Sequence, residues 1–546
     1  MPLKYFGIFL AYGPTVDLRK EGLGRLLAAF LSGATTREDV RFVVVLPGWL
    51  KLNFIAFCES EGIAQAAFDL VPTDGSPFML RHYLAYLERR RRPPRESRFA
   101  HLADWLRRVS AENRRRFERR FVAARNAISW LATFIYATVF AAALLPLGAF
   151  VWLAVSGGRV SRKLWNKLCA AFRAAGGKVL NLLHEPGEES LDVRLYRLME
   201  EIETERMVEK INTLRHVAAW LSPTAFWPAF NRISAPGLLC VPDVMLAEFP
   251  IGFAREPELL RSFEQVERTI LGARSFVTYS AKVKWTTLVD RYAIRPEDIA
   301  VVPHSCWDLS PLIQVNGFPD ENKATNIYCQ SLLQQALGRT GLTGYVQMLR
   351  SGSLKFLFYA SQFRPNKNVQ LLIEAYEHLL RKRYTHHKLI LTGDPNRDPQ
   401  VQNLVRARGL AQDVIFLHGL TTPELAACYR LADLAVNPSL SEGGCPFTFT
   451  EALSVNTPVV MARIPLTEEV LADTALQEMT LFDPYDYEDA SRCIQWALDN
   501  REALLRAQQP AYIRLCERSW RDVVDDYVTI LNRLSISSSS AGELGK

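Results

Sequence analysis

The second half of this chain repeats one alternation, a short apolar run followed by an amphipathic stretch, and few folds can accommodate it. "KFLFYAS" (355–361) reads as a buried strand. "NVQLLIEAYEHLLRKRY" (368–384) reads as a helix, with apolar residues at helical spacing and bases in its last turns. "KLILTGD", "VIFLHG", "LAVNPS" and "TPVVMA" predict further strands, and "VQNLVRARG", "TPELAACYRLAD" and "FTEALSVN" the helices between them. The "TPELAACYRLAD" helix opens with a Thr cap and Pro at its first helical position. Strands and helices alternating at this interval predict a parallel, doubly wound sheet.

The N-terminal third begins the same way. "YFGIFLAYG" predicts a first buried strand rather than a signal peptide, "EGLGRLLAAFLSGA" a glycine turn entering a helix, and "VRFVVVLPG" a strand. Later "GLLCVPD", "SFVTYS" and "IAVVPHS" read as short strands ending in loops. The prediction is an α/β chain with two Rossmann-like domains, 1–305 and 353–500. A linker rich in Gln, Asn and Gly covers 306–352. Helices over 501–534 pack back on the first domain, and the Ser-rich tail 535–546 is disordered.

Hydrophobic residues make up 49% of the 546 and charged residues 23%, which is a globular composition with room for two or three domains. The nine cysteines, at 58, 169, 240, 306, 329, 428, 445, 493 and 516, include no CxxC pair. That pattern argues for a reducing compartment and against a zinc ribbon or a disulfide scaffold.

The net charge of +7 is unevenly placed. Residues 81–125 hold 15 Arg and 5 acidic residues, and 159–178 hold six basic residues and no acidic one, so the rest of the chain is acidic at −9. Between these clusters the 29 residues 127–155 carry no charge. The whole insertion, 81–183, reads as a membrane device. A single span would divide strands that belong to one sheet, so both flanks stay on one side. Pro146 and Gly148 allow a re-entrant hairpin, and a broken interfacial helix is the other form. Trp130, Tyr136 and Trp152 suit an interfacial belt, and the basic flanks suit anionic cytoplasmic lipid. A helix buried in the protein core is the competing reading. Nucleic-acid binding is disfavoured, because it has no use for the uncharged run.

"SLSEGGCPFTFTEALSVNTPVV" (439–460) follows a predicted strand at the carboxyl edge of the sheet, where open α/β sheets bind ligands. Gly443 and Gly444 let the backbone approach a ligand, and the helix start behind them suits phosphate. Glu442 and Glu451 are acceptors fit for vicinal hydroxyls. A helix cap at Ser441 or Glu442 beside an ordinary surface Glu explains the same letters. "ASQFRPNKN" (360–368) places Arg364 and Lys367 in a second loop at the same edge, where two cations can neutralise a diphosphate. The alternative there is solvated loop charge.

In order, "FYASQFRPNKNVQLLIEAY", "LILTGD" and "VIFLHGLTTPELAACYRLADLAVNPSLSEGGCPFTFTEALSVNTPVVMARIPLTEEVL" resemble the group 1 (family 4) glycosyltransferases of the GT-B fold. The resemblance covers about 354–470. It implies two Rossmann-like domains facing a cleft, and transfer of a sugar from a nucleotide diphosphate sugar with retention and without a divalent metal or other cofactor. The "GDPNRD" loop agrees, having no evident paired-Asp metal motif.

By the resemblance, Lys367 matches the family's phosphate Lys, while Gln362 stands at the usual Arg position with Arg364 two residues on. Glu442, Gly443 and Gly444, with Cys445 and Pro446, face the sugar and diphosphate, and Glu451 holds the ribose hydroxyls. Eight residues separate the two glutamates, where the family usually has seven. Gly22, Gly24 and Arg25 match a glycine-rich loop on the acceptor side, and also read as a simple turn. Asp243 in "VPDVMLAEFP" remains where Pro242 replaces the family's His, and could orient or deprotonate the acceptor hydroxyl. A cap or a loop hydrogen bond is its other reading. By the same resemblance His304 in "VVPHS" marks the hinge at the end of the first domain and, with Gly22, Gly24 and Arg25, belongs to the acceptor side of the cleft.

The expected protein is a glycosyltransferase at the cytoplasmic membrane face, peripheral or re-entrant, acting on a lipid-linked or polysaccharide acceptor. Two other readings remain: a degenerate membrane scaffold in a polysaccharide assembly complex, and another sugar-processing enzyme of the same fold.

Overall fold

The structure is a computed structural model that describes residues 3–20, 22–64, 68–90, 122–124, 128–131, 191–249, 257–396 and 398–543. Among the described residues thirteen strands form two sheets. The first uses β1 (Lys4–Phe9), β2 (Val40–Leu46), β3 (Phe68–Pro72), β4 (Val217–Ser222), β5 (Gly237–Cys240), β6 (Phe276–Thr278) and β7 (Ile299–Val301), in the order β3-β2-β1-β4-β5-β6-β7. The second uses β8 (Phe356–Tyr359), β9 (Lys388–Leu391), β10 (Val414–Phe416), β11 (Leu434–Asn437), β12 (Val459–Ala462) and β13 (Leu481–Phe482), in the order β10-β9-β8-β11-β12-β13. Both are parallel, doubly wound sheets of the Rossmann type, as the alternation predicts.

By compactness the chain divides into Met1–Leu31, Glu38–Trp220 and Arg232–Pro236 as one unit, and Ser32–Arg37, Leu221–Asn231 and Gly237–Lys546 as the other. In the first unit β1 pairs β2 in register from Lys4↔Val40 to Phe9↔Val45. A small satellite core of Met79, Val122, Leu195, Tyr196, Met199 and Ile202 ties the helix Leu80–Arg90 to the helix Leu191–Thr213. Trp130 packs on Phe78 and His82 at ring distances of 5.2 and 6.1 Å. Apart from these ends, the insertion 81–183, with Tyr136, Pro146, Gly148 and Trp152, lies outside the described residues. Among the described residues no helix is long and apolar enough to cross a membrane.

In the second unit, β8 shows why such strands read as continuous apolar runs. Phe356 and Phe358 face one core with Cys329, Leu333 and Tyr429, while Leu357 and Tyr359 face another with Leu372, Tyr376 and Ile494. Both faces are covered by helices, so both sets of alternating side chains are apolar.

Three expectations change here. The stretch read as a linker holds two helices, Glu321–Arg339 and Thr343–Arg350. Cys329, Leu333, Ala336 and Leu337 recur at helical spacing and are buried, and the Gln and Asn residues that suggested a linker stand between them. The tail read as disordered is helical as far as Glu543, continuing the helix Trp520–Glu543. Extending a formed helix costs far less than nucleating one, so a Ser run can be carried along. The cap of Thr422–Leu431 is Thr421, one residue earlier than expected, closing a reciprocal box with Glu424.

Candidate functional site

In the second sheet the winding reverses between β8 and β11, which are hydrogen-bonded neighbours. Such a reversal is where open α/β sheets bind ligands, beyond the carboxyl ends of the neighbouring strands. The loop after β8 carries Gln362, Arg364 and Lys367; the loop after β11 carries Glu442, Gly443, Gly444, Cys445 and Pro446. Chain topology alone brings the two motifs together.

The loops are stitched to each other. The Leu440 amide donates to the Asn366 carbonyl at 2.8 Å, and the Asn366 side-chain amide donates to the Ser441 carbonyl at 3.4 Å. The buried Tyr359 hydroxyl donates to the Lys367 carbonyl at 3.3 Å and lies 3.0 Å from Ser439 Oγ. Asn368 takes a left-handed conformation, φ 49°, to turn the chain into the helix Val369–Lys382.

Lys367 Nζ lies 2.6 Å from Glu442 Oε1, with the two side chains 22% and 19% exposed. Burial pulls the Lys367 pKa down, but Glu442, Tyr359 and Asp243 more than offset it and the net shift is upward. Asp243, in the loop after β5, sits in the same field. Burial pushes its pKa up to about 6; Lys367 and Arg364 oppose the rise, and Glu442 and Glu248 add to it. Two acids thus share one closely held cation, so the proton demand is greatest on the acid without the direct ion pair.

The glycines are explained by close approach. A Cβ on Gly443 would lie 2.2 Å from the Pro242 carbonyl oxygen, and one on Gly444 would lie 2.8 Å from His304 Nε2 and 3.0 Å from Tyr279 Cβ. The Ser280 hydroxyl donates to the Gly443 carbonyl at 3.0 Å. His304 Nδ1 is 3.0 Å from the Ser305 carbonyl, which can only accept, so Nδ1 holds the proton. Burial lowers the His304 pKa, favouring the neutral ring.

The structure therefore gathers Asp243, His304, Lys367, Glu442, Gly443 and Gly444. Gln362 and Arg364 are exposed on the β8 loop. Neither Ser441 nor Glu442 caps a helix: the following helix is Phe447–Ser454, and Pro446 occupies its N-cap without a side-chain bond. Glu451 lies within that helix and is only 1% exposed. Gly22, Gly24 and Arg25 belong to the first unit, at the start of the helix Gly22–Ala34. There a Cβ on Gly24 would meet the Leu18 carbonyl at 1.9 Å, and Arg25 interacts electrostatically with Glu61.

Asn366, Tyr359 and Ser280 escaped the sequence reading, and Ser441 entered it only as a possible cap. Asn366 Oδ1 and Ser441 Oγ are buried with no hydrogen-bond partner among the described residues, on the two facing loops. The signal for Asn366 was its place between Arg364 and Lys367; Ser280 is named only by the fold. Among the described residues no group of three or more His, Cys, Asp or Glu side chains is arranged to hold a metal.

Residues 347–514 match the family described as "Glycosyl transferases group 1". The serotype-specific mannosyltransferase WbdA of Escherichia coli is 27% identical over 188 residues, 34% of this chain and 22% of WbdA. The O-antigen chain mannosyltransferase RfbU of Salmonella typhimurium is 32% identical over 143 residues, 26% of this chain and 36% of RfbU. The matched segment thus spans well under half of either relative. The crystal structure of a glycosyltransferase from Rickettsia africae superposes with a TM-score of 0.51 at 10% identity, covering 97% of this chain and 98% of that one. At that identity the likeness establishes the fold, GT-B.

Proposed function

Because residues 347–514 belong to the group 1 glycosyl transferases, we propose that this protein moves a hexosyl group from a nucleotide diphosphate sugar to a hydroxyl of a lipid-linked or polysaccharide acceptor. The names of the relatives, a serotype-specific mannosyltransferase and an O-antigen chain mannosyltransferase, favour such an acceptor and a mannosyl-like sugar. In this reading the reaction retains configuration, uses no metal or cofactor beyond the donor, and takes place at the cytoplasmic face of the membrane. The insertion 81–183 supplies the contact with anionic lipid.

One observation carries the proposal: Lys367, Glu442 and Asp243 meet where the strand order reverses. The donor diphosphate takes Lys367 from Glu442, which then accepts from sugar hydroxyls. Each charge-assisted bond is worth about 1.5–3 kcal/mol. Lys367 also balances the charge that develops on the leaving diphosphate, the electrostatic work a metal does elsewhere. Asp243, with its pKa near 6, is ionised at neutral pH yet retains proton affinity, which suits removal of the acceptor proton. In this reading Glu451 holds the ribose hydroxyls.

The test uses full-length protein, a panel of nucleotide diphosphate hexoses and membrane lipid extract, with nucleotide diphosphate release as the readout. We expect release with a subset of donors, undiminished in excess EDTA. Loss on chelation with recovery on Mg²⁺ or Mn²⁺ refutes metal independence. Thermal stabilisation by nucleotide diphosphate, about 2.7 kcal/mol at 100-fold over Kd, without release from any donor would instead identify a scaffold.

A further inference from the structure

The helix Pro465–Val470, which follows β12, carries two consecutive glutamates with different partners. Glu468 pairs with Arg463 at 3.3 Å, both side chains partly exposed. Glu469 takes backbone amides instead. Its Oε1 accepts from the Ala281 amide at 3.0 Å and its Oε2 from the Lys282 amide at 3.1 Å. Each oxygen takes one amide, so the carboxylate is held in one orientation and fixes the turn 280–282 that follows β6.

That turn reaches the segments of both acids. Ser280 is buried, and its hydroxyl donates to the Gly443 carbonyl at 3.0 Å while accepting from the Val283 amide at 3.3 Å. Gly443 adjoins Glu442, the partner of Lys367 at 2.6 Å. Two residues on from Ser280, the Lys282 ammonium pairs with Glu248, the side chains being 15% and 23% exposed. Glu248 ends the short helix Met245–Glu248, which follows Asp243. The donor loop and the Asp243 segment are themselves close: a Cβ on Gly443 would lie 3.5 Å from Asp243 Cβ.

A turn that enters a helical segment needs acceptors for its first amides, and a side chain of its own would serve. Here the acceptor comes from nearly two hundred residues along the chain. β12, which leads into the Glu469 helix, is the hydrogen-bonded neighbour of β11, which leads into the donor loop. Adjacent strands of one sheet thus supply both Gly443 and Glu469 to the same turn. A local cap would satisfy the amides without fixing the turn against the donor loop.

We propose that Glu469 is a positioning residue: its carboxylate anchors the turn 280–282, so that Ser280 and Lys282 keep the Glu442 and Asp243 segments in register for sugar transfer. The effect on turnover rests on the transferase reading; the anchoring of the turn does not. Glu469 acts through the turn, so its loss should misplace the two acids without removing a donor contact. A misplacement of about 1 Å is enough to slow a reaction on the order of 10²-fold.

The test compares full-length wild type with Glu469→Ala, Glu469→Gln and the neighbouring Glu468→Ala. Amide hydrogen exchange of the peptide containing 281 and 282 reads the anchor. Exchange should quicken about 10–100-fold in Glu469→Ala, where two charge-assisted bonds are lost. It should quicken less in Glu469→Gln, which keeps one acceptor oxygen, and not at all in Glu468→Ala. Nucleotide release from the donor panel with lipid extract reads the register. We expect kcat to fall roughly 10–100-fold in Glu469→Ala and to recover in part in Glu469→Gln, with the Kd for free nucleotide diphosphate unchanged in both. Unchanged exchange at 281 and 282 overturns the anchor. Faster exchange with wild-type kcat, or a matching loss of nucleotide diphosphate affinity, overturns the positioning role. If wild type turns over no donor, the transferase reading fails and the positioning role falls with it, while the exchange result still decides whether Glu469 holds the turn.

Discussion

Each sheet has one place where its winding reverses, β1/β4 in the first and β8/β11 in the second, and the two places carry opposite kinds of acid chemistry. At the first, Glu200 on the helix Leu191–Thr213 lies beside Gly13 in the loop after β1. Burial pushes Glu200 up to about 7, against a hydrogen bond from Tyr83 and the charge of Arg197. One turn on, the fully buried Glu203 accepts from the Gly48 amide at 3.3 Å and from the Thr73 hydroxyl. Glu203 takes these hydrogen bonds from an amide and a hydroxyl, with Arg206 farther off at 3.8 Å. At the second reversal Lys367 lies 2.6 Å from Glu442 and its charge also acts on Asp243, beside a glycine turn. A raised carboxyl pKa occurs at both, so the shift alone does not identify a site. What distinguishes the second is an exchangeable cation where backbone can approach a ligand.

Four changes would break or sharpen that contrast. Asp243→Asn should be the most severe, lowering turnover by about 10²–10⁴-fold if the carboxylate takes the acceptor proton. Wild-type turnover should fall as the pH drops through about 6, because the base must be ionised, and that limb should vanish from the residual activity of the variant. A pH profile unchanged by the substitution would remove Asp243 from the chemistry.

Glu200→Gln should act on stability and not on the donor. A folded pKa of about 7 against an ordinary 4.5 means that the native state keeps a proton the unfolded chain loses. Stability from this group is therefore complete below pH 4.5 and is lost as the pH rises through about 7. The variant should match wild type near pH 4 and exceed it by on the order of 3 kcal/mol near pH 8, read from denaturant midpoints. A variant less stable at pH 8, or with altered nucleotide affinity, would make the first reversal more than a packed polar cluster.

Lys367→Ala should raise the Kd for free nucleotide diphosphate by roughly 10–100-fold, measured by calorimetry, since one charge-assisted contact of about 1.5–3 kcal/mol is lost. Wild-type affinity would move the phosphates elsewhere. Gly444→Ala should be mildest. Its Cβ meets His304 Nε2 at 2.8 Å, a side chain that can yield, so about 1 kcal/mol and a few-fold loss of donor affinity are expected. A loss as large as that of Lys367→Ala would show that the turn itself touches the donor.

Much of this was legible because it is local. Alternating apolar runs set the strands, since a sheet covered on both faces buries every side chain of β8 and β11. Lys367, Glu442 and the glycine pair were legible because loops at the carboxyl ends of parallel strands have little else to be. The Gln- and Asn-rich 306–352 misled, because the polar residues hid the buried spacing of Cys329, Leu333 and Leu337. Ser441 as a cap misled because the chain delays its helix to Phe447.

What the sequence determined by itself is the periodicity, and with it the elements, their order and the residues that must lie at strand ends. Only the tertiary structure decided which distant residues share a field. Asp243 acquires its raised pKa from burial and from Glu442 far along the chain, and Gly443 and Gly444 are required by Pro242 and His304. Periodicity is written in neighbours along the chain, whereas electrostatic coupling and steric contact depend on separation in space, which only the finished fold sets.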